Sequence, residues 1–97
     1  MTLQQVTIKT NNRKLLKPLI ASAIENEKKI VLLGLQRTQT RLAEFEQKHG
    51  LTSDEFERRL NASELAETVE FSEWRMEIGM LKLLERQYQA LQDARLD

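Results

Sequence analysis

The side chains with the clearest chemical potential are His49 and a row of carboxylates, Glu70, Glu73 and Glu77. His49 is the single histidine of the 97 residues, and there is no cysteine. That removes thiolate nucleophiles, disulfides, the usual zinc frameworks and most nucleophile–base pairs. A histidine beside Gly50 at the end of a helical pattern is read as a favourable charge at a helix C-terminus. Glu70, Glu73 and Glu77 recur at helical spacing, and Glu64 and Glu67 extend the row if the connector before them is helical. Carboxylate-bridged metal centres in helical bundles require Glu-x-x-His pairs turned inward, and no such pair occurs. With Phe71, Trp74, Ile78 and Leu81 claiming the core side, the glutamates are expected in solvent. Gly-rich phosphate loops and dinucleotide fingerprints are also missing. The expectation is a non-enzymatic chain, without a catalytic residue, metal or cofactor.

The elements that would position these groups are two long helices. Residues 6–10, Val-Thr-Ile-Lys-Thr, alternate branched and polar side chains, which predicts a short β-like arm over residues 1–12. From Arg13 to His49 one helix is predicted, with apolar or neutral residues at Ile24, Val31, Leu35, Thr38, Leu42, Phe45 and His49. After Val31 the steps alternate four and three, the spacing of a coiled-coil seam. Pro18 is expected in or near the first turn, and Gly34 inside the helix costs about 1 kcal/mol relative to alanine. Arg41 and His49 lie eight residues apart, too far for the Arg-to-His motif of helical HEPN-type ribonucleases.

Gly50 takes the left-handed position that ends the helix. Thr52-Ser53-Asp54-Glu55 then reads as a capping box, with Leu51 and Phe56 as its hydrophobic staple, so a short helix runs from Ser53 to about Leu60. Residues 61–70 are a connector. A second long helix follows from about Phe71 to Arg95, with a stripe at Phe71, Trp74, Ile78, Leu81, Leu84, Tyr88, Leu91 and Arg95. The predicted fold is all-α: an antiparallel, coiled-coil-like hairpin of two long helices over residues 13–97, with a short connecting helix. At about 1.5 Å per residue the first helix is longer than the second by roughly 18 Å. Its start is therefore expected to overhang without an intrachain partner. That predicts a homodimer through Val6, Ile8, Leu16, Leu19, Ile20 and Ile24.

Charge and hydropathy bound the partners. Fifteen Lys and Arg balance fifteen Asp and Glu, so bulk charge does not hold a nucleic acid or an anionic membrane. The balance hides an asymmetry. Residues 1–41 carry eight positives against two carboxylates, a net +6, and residues 42–97 carry seven against thirteen, a net −6. The longest apolar run, Ile30-Val31-Leu32-Leu33, is far short of the roughly 20 residues of a membrane span. No signal peptide is visible at the N-terminus, so a cytoplasmic protein is expected.

Two features suit binding. Asp54, Phe56, Glu67, Glu70, Glu73, Trp74 and Glu77 combine carboxylates with aromatics, a surface suited to a basic protein partner, unless the aromatics are hairpin core. Lys9, Arg13, Lys14 and Lys17 form a basic cluster at the other end, the alternative being nucleic acid. Ribbon–helix–helix proteins read DNA with a dimerised strand before a helix, but their helices are short and this first helix is long.

The stretches Leu42-Ala-Glu-Phe-Glu-Gln-Lys-His-Gly50, Ser53-Asp-Glu-Phe56, Glu64-Leu65 and Phe71-Ser-Glu-Trp74 resemble a family of small prokaryotic proteins. That family reads Leu-x-x-Phe-Glu-x-Lys-Tyr-Gly-Met, Ser-x-Glu-Phe, Glu-Leu, Phe-x-Glu-Trp, and is similar to antitoxin-like partners encoded beside small nuclease-like toxins. The likeness covers about residues 20–90. His49 replaces its Tyr, Leu51 its Met, and Asn61-Ala62-Ser63 stands where a Gly often precedes Glu-Leu. The resemblance implies an antitoxin that neutralises its cognate toxin by direct binding. A DNA-binding autoregulator and a plain dimeric coiled-coil scaffold are the alternatives.

Overall fold

The computed structural model describes residues 7–94, which form three helices: α1 (Arg13–His49), α2 (Ser53–Asn61) and α3 (Val69–Asp93). Helices α1 and α3 pack against each other as an antiparallel hairpin in a rod 58 × 23 × 20 Å. No helix among the described residues is long and apolar enough to cross a membrane. Residues 7–10 are neither helix nor strand, and Val6 lies outside the described residues, as does Arg95 at the far end.

Helix α1 begins where Asn12 Oδ1 accepts a long hydrogen bond of 3.4 Å from the Leu15 amide. Pro18 is therefore the sixth helical residue, one turn further in than expected. Its ring removes the hydrogen bond to the Lys14 carbonyl, a loss that water makes good because this part of the helix is exposed. The seam forms as the periodicity predicts: Val31, Leu35, Thr38, Leu42 and Phe45 are buried. Contacts of His49 with Glu70 and Arg41 with Glu77, and the approach of Gly34 to Leu84, set the register across the hairpin. Continued at equal rise, that register places Asp93 beside about residue 25 of α1. The first turns of α1 thus overhang, and Leu15 and Leu19 are 60% and 58% exposed.

The chain reverses through capped turns. Gly50, at φ 65°, ends α1, its amide donating to the Glu46 carbonyl at 2.9 Å. Thr52 Oγ1 caps α2 by accepting from the Glu55 amide at 3.1 Å. The reciprocal half of the capping box is not made. Glu55 turns to Arg58 and Arg59, whose hydrogen bonds hold its carboxyl at about 2. Glu46 of α1 reaches across instead and accepts from the Ser53 amide at 2.6 Å. After α2, Ser63 adopts φ 59°, with its amide on Leu60 and the Glu64 amide on Arg59. This is the Schellman closure, with serine in the position glycine favours. Helix α3 starts two residues earlier than expected because Thr68 Oγ1 accepts from the Phe71 amide at 3.0 Å.

The core lies at the turn end, where α2 joins the hairpin. Leu42, Phe45, Phe56, Leu60, Trp74 and Ile78 form it, with Leu51, Leu65, Phe71 and Leu81 packed around them. The Trp74 ring is sandwiched between Phe56, 3.8 Å away, and Phe45, 5.5 Å away, both within 8° of parallel. Trp74 Nε1 donates to Ser53 Oγ at 3.0 Å, so the burial leaves no donor unpaired.

Candidate partner-binding surface

The residues expected to carry binding fall into separate groups. Phe56 and Trp74 are fully buried. They shape the turn end from inside and offer no side-chain surface, which corrects their expected place among partner contacts. The carboxylates remain outside, in different states. Glu67 is paired with Arg75 at 2.9 Å, and Glu77 faces Arg41 at 3.8 Å. Asp54, in the first turn of α2, and Glu73 on α3 are exposed. Among the described residues neither has an ion-pair partner.

Glu70 is the most engaged of the row. Its two carboxylate oxygens meet Lys48 Nζ at 2.9 Å and His49 Nε2 at 2.7 Å. The His49 hydrogen bond first, and Lys48 second, hold the Glu70 carboxyl below its ordinary value. The His49 ring stacks on Trp74 at 5.5 Å and meets the edge of Phe71 at 5.2 Å. The cluster clasps two helix ends: Lys48 and His49 sit at the C-terminus of α1, and Glu70 in the first turn of α3. Each charge thereby complements its own helix dipole. Beside the clasp a cleft of about 440 Å³ is lined by Arg41, Glu44, Phe45, Val69 and Glu73 among others. It is open and mixes Glu44, Glu70 and Glu73 with Arg41 and Lys48, so its lining is charged, with carboxylates in the majority.

At the opposite end Ile8, Lys9, Arg13, Lys14 and Lys17 are all exposed. Arg13, Lys14 and Lys17 gather at the start of α1, whose first turn has no acidic residue. Positive charges there oppose the helix dipole. Leu16, Ile20 and Ile24, expected at a dimer interface, are half-buried and continue the Val31–Leu35 stripe towards the overhang. Leu19 points elsewhere, with Leu15, Ile30 and Leu33, on a second stripe nearly opposite the first. Helix α3 has a second stripe as well: Val69, Met76, Met80 and Leu83, at steps of seven, four and three. Leu15 and Leu19 were expected in the exposed overhang, but the rest of these two stripes was missed because the stronger seam residues dominate each helix's periodicity. The signal was nevertheless present in the same three-and-four spacing.

No protein-family model, curated protein or solved structure matches this chain.

Proposed function

We propose that this chain is a non-enzymatic protein-binding module of the cytoplasm, the antitoxin of a prokaryotic toxin–antitoxin pair. It neutralises its toxin by laying the acidic turn end of the hairpin over a basic surface of the toxin. The observation that carries this reading is the charge distribution. Residues 44–73 hold nine carboxylates against three positives, and Asp54 and Glu73 stand exposed among them. Potentials of one sign gathered at one end steer and orient an oppositely charged partner. The toxin assignment itself rests on the resemblance of the Leu42–Gly50, Ser53–Phe56 and Phe71–Trp74 motifs to antitoxin-like proteins. Its test is co-expression with the product of the adjacent gene: restored growth and co-purification are expected. A neighbour that is harmless and does not bind would refute it.

The second reading is a DNA-binding autoregulator acting through Lys9, Arg13, Lys14 and Lys17. It is favoured by the exposed cluster of four cations with no carboxylate among residues 7–24. It requires binding to the upstream DNA that weakens steeply with salt and is lost when Lys9, Arg13 and Lys14 are neutralised.

A further inference from the structure

Ile30 and Leu33 from the α1 stripe and Met80 from the α3 stripe meet on one side of the hairpin. Ile30, Leu33 and Gly34 of α1 and Met80 and Leu84 of α3 line one groove of about 640 Å³, with Glu27, Arg37, Arg41 and Glu77 as its charged lining. Helix α2 packs on the other side, where its Glu57 meets Lys82. Among the described residues nothing covers the groove side, and Leu15 and Leu19 are exposed on the stretch of α1 beyond the end of α3.

We infer that this face takes a second copy of the same chain, packed antiparallel across a two-fold axis near Gly34. The occupant follows from charge. Residues 7–24 carry four positives and no carboxylate, whereas residues 44–73 carry nine carboxylates against three positives. An antiparallel copy lays the basic overhang of each chain along the acidic turn end of the other; a parallel copy would set like ends together. Two of the charged lining residues repeat this arrangement. Glu27 and Arg41 lie seven residues to either side of Gly34 on α1, about 10.5 Å each way. A two-fold axis there sets Glu27 of one copy beside Arg41 of its partner, twice. Gly34 is also near the middle of α1, so this register covers nearly the whole helix. The face is 58 Å long and 23 Å across, enough for the roughly 800 Å² that each partner of a stable complex buries. The product is a four-helix bundle in which α1 lies on α1 and α3 on α3, each antiparallel to its neighbour. It is an alternative to the strand-and-overhang dimer expected from the sequence, and because Arg41 lines both this groove and the cleft between Glu44 and Glu73, a second copy and a toxin would compete for the acidic turn end.

The absence of cysteine makes a direct test available on the purified full chain alone. Leu33 lies one residue from the proposed axis, so Leu33→Cys meets its own copy and forms a disulfide-linked dimer under mild oxidation. Leu19 lies fifteen residues from Gly34, which separates the two copies of Leu19→Cys by about 45 Å along the bundle. That variant stays unlinked. Sedimentation of the unmodified chain at tens of micromolar should give a dimer, and Met80→Glu a monomer of unchanged helix content by circular dichroism. A monomeric unmodified chain, a Leu19→Cys cross-link, or failure of Leu33→Cys to cross-link would each overturn the inference. A Met80→Glu variant that stays helical and dimeric would do the same.

Discussion

The Trp74 indole lies flat on the Phe56 ring, the centroids 3.8 Å apart and the planes 3° from parallel. This contact joins α2 to α3 at the point where the hairpin turns, and Ser53 secures it by accepting from Trp74 Nε1. An aromatic partner-binding patch and an aromatic core require opposite things of these two rings. Their full burial assigns them to the core, and the surface they shape is left to the carboxylates around them.

Ser53→Ala should destabilise the fold by about 1–3 kcal/mol, because it leaves a buried indole donor without a partner. Trp74→Ala should cost more, about 3–5 kcal/mol, through the cavity it leaves. Chemical denaturation followed by far-UV circular dichroism checks both values. Equal stability of Ser53→Ala and the unmodified chain would show that the hydrogen bond contributes nothing.

Ser63 and Gly50 occupy the same left-handed region at the ends of two helices. Ser63→Gly should raise the melting temperature, since a non-glycine residue there carries about 1–2 kcal/mol of steric cost. Gly50→Ala should lower it for the same reason, although nothing lies within 4 Å of the added methyl group. Thermal melts of the pair, shifted in opposite directions, test the backbone account without touching the core.

Gly79 lies inside α3 with nothing within 4 Å of an added Cβ. Gly79→Ala should therefore stabilise by about 0.5–1 kcal/mol through helix propensity alone. A denaturation midpoint that falls on this substitution would mean that the open space at Gly79 is filled by a partner.

The Glu70 clasp makes a prediction about pH. Its carboxyl is held below the ordinary 4.5 by His49 and Lys48, so the unfolded chain binds the proton more readily than the folded one. The stability from this carboxylate is fully present above the unfolded value and is lost as pH falls through the folded value. Between about pH 6 and about pH 3, the unmodified chain should lose more thermal stability than Glu70→Gln. Parallel losses in the two proteins would show that Glu70 is not bound to its partners in solution.

Much of the fold is legible along the chain because its signals are local. The α1 bounds, the Gly50 stop, the Thr52 cap and the Val31–Phe45 seam each depend on residues within a turn or two of one another. The Thr68 cap was hidden in a mixed connector with no matching glutamate at the third helical position. The site was harder to read. Glu70 and His49 are 21 residues apart in sequence, and so are Trp74 and Ser53. Neither pairing has a spacing signature. Phe56 and Trp74 read first as staple and core-stripe residues, yet they also stood among the contact residues, because a seam position and an aromatic anchor share the same composition. The second stripe, through Leu15, Leu19, Ile30 and Leu33, obeys the same periodicity as the first, and past the overhang it was masked by it.

If the acidic turn end holds the partner, reversing its charge should release that partner. The chain would be co-expressed with the product of its adjacent gene, alongside an Asp54→Lys/Glu73→Lys variant whose helix content and melting temperature match it. The unmodified chain should restore growth and co-purify with that product, while the reversed variant should do neither. Equal rescue and equal co-purification by the reversed variant would show that the acidic turn end does not hold the partner.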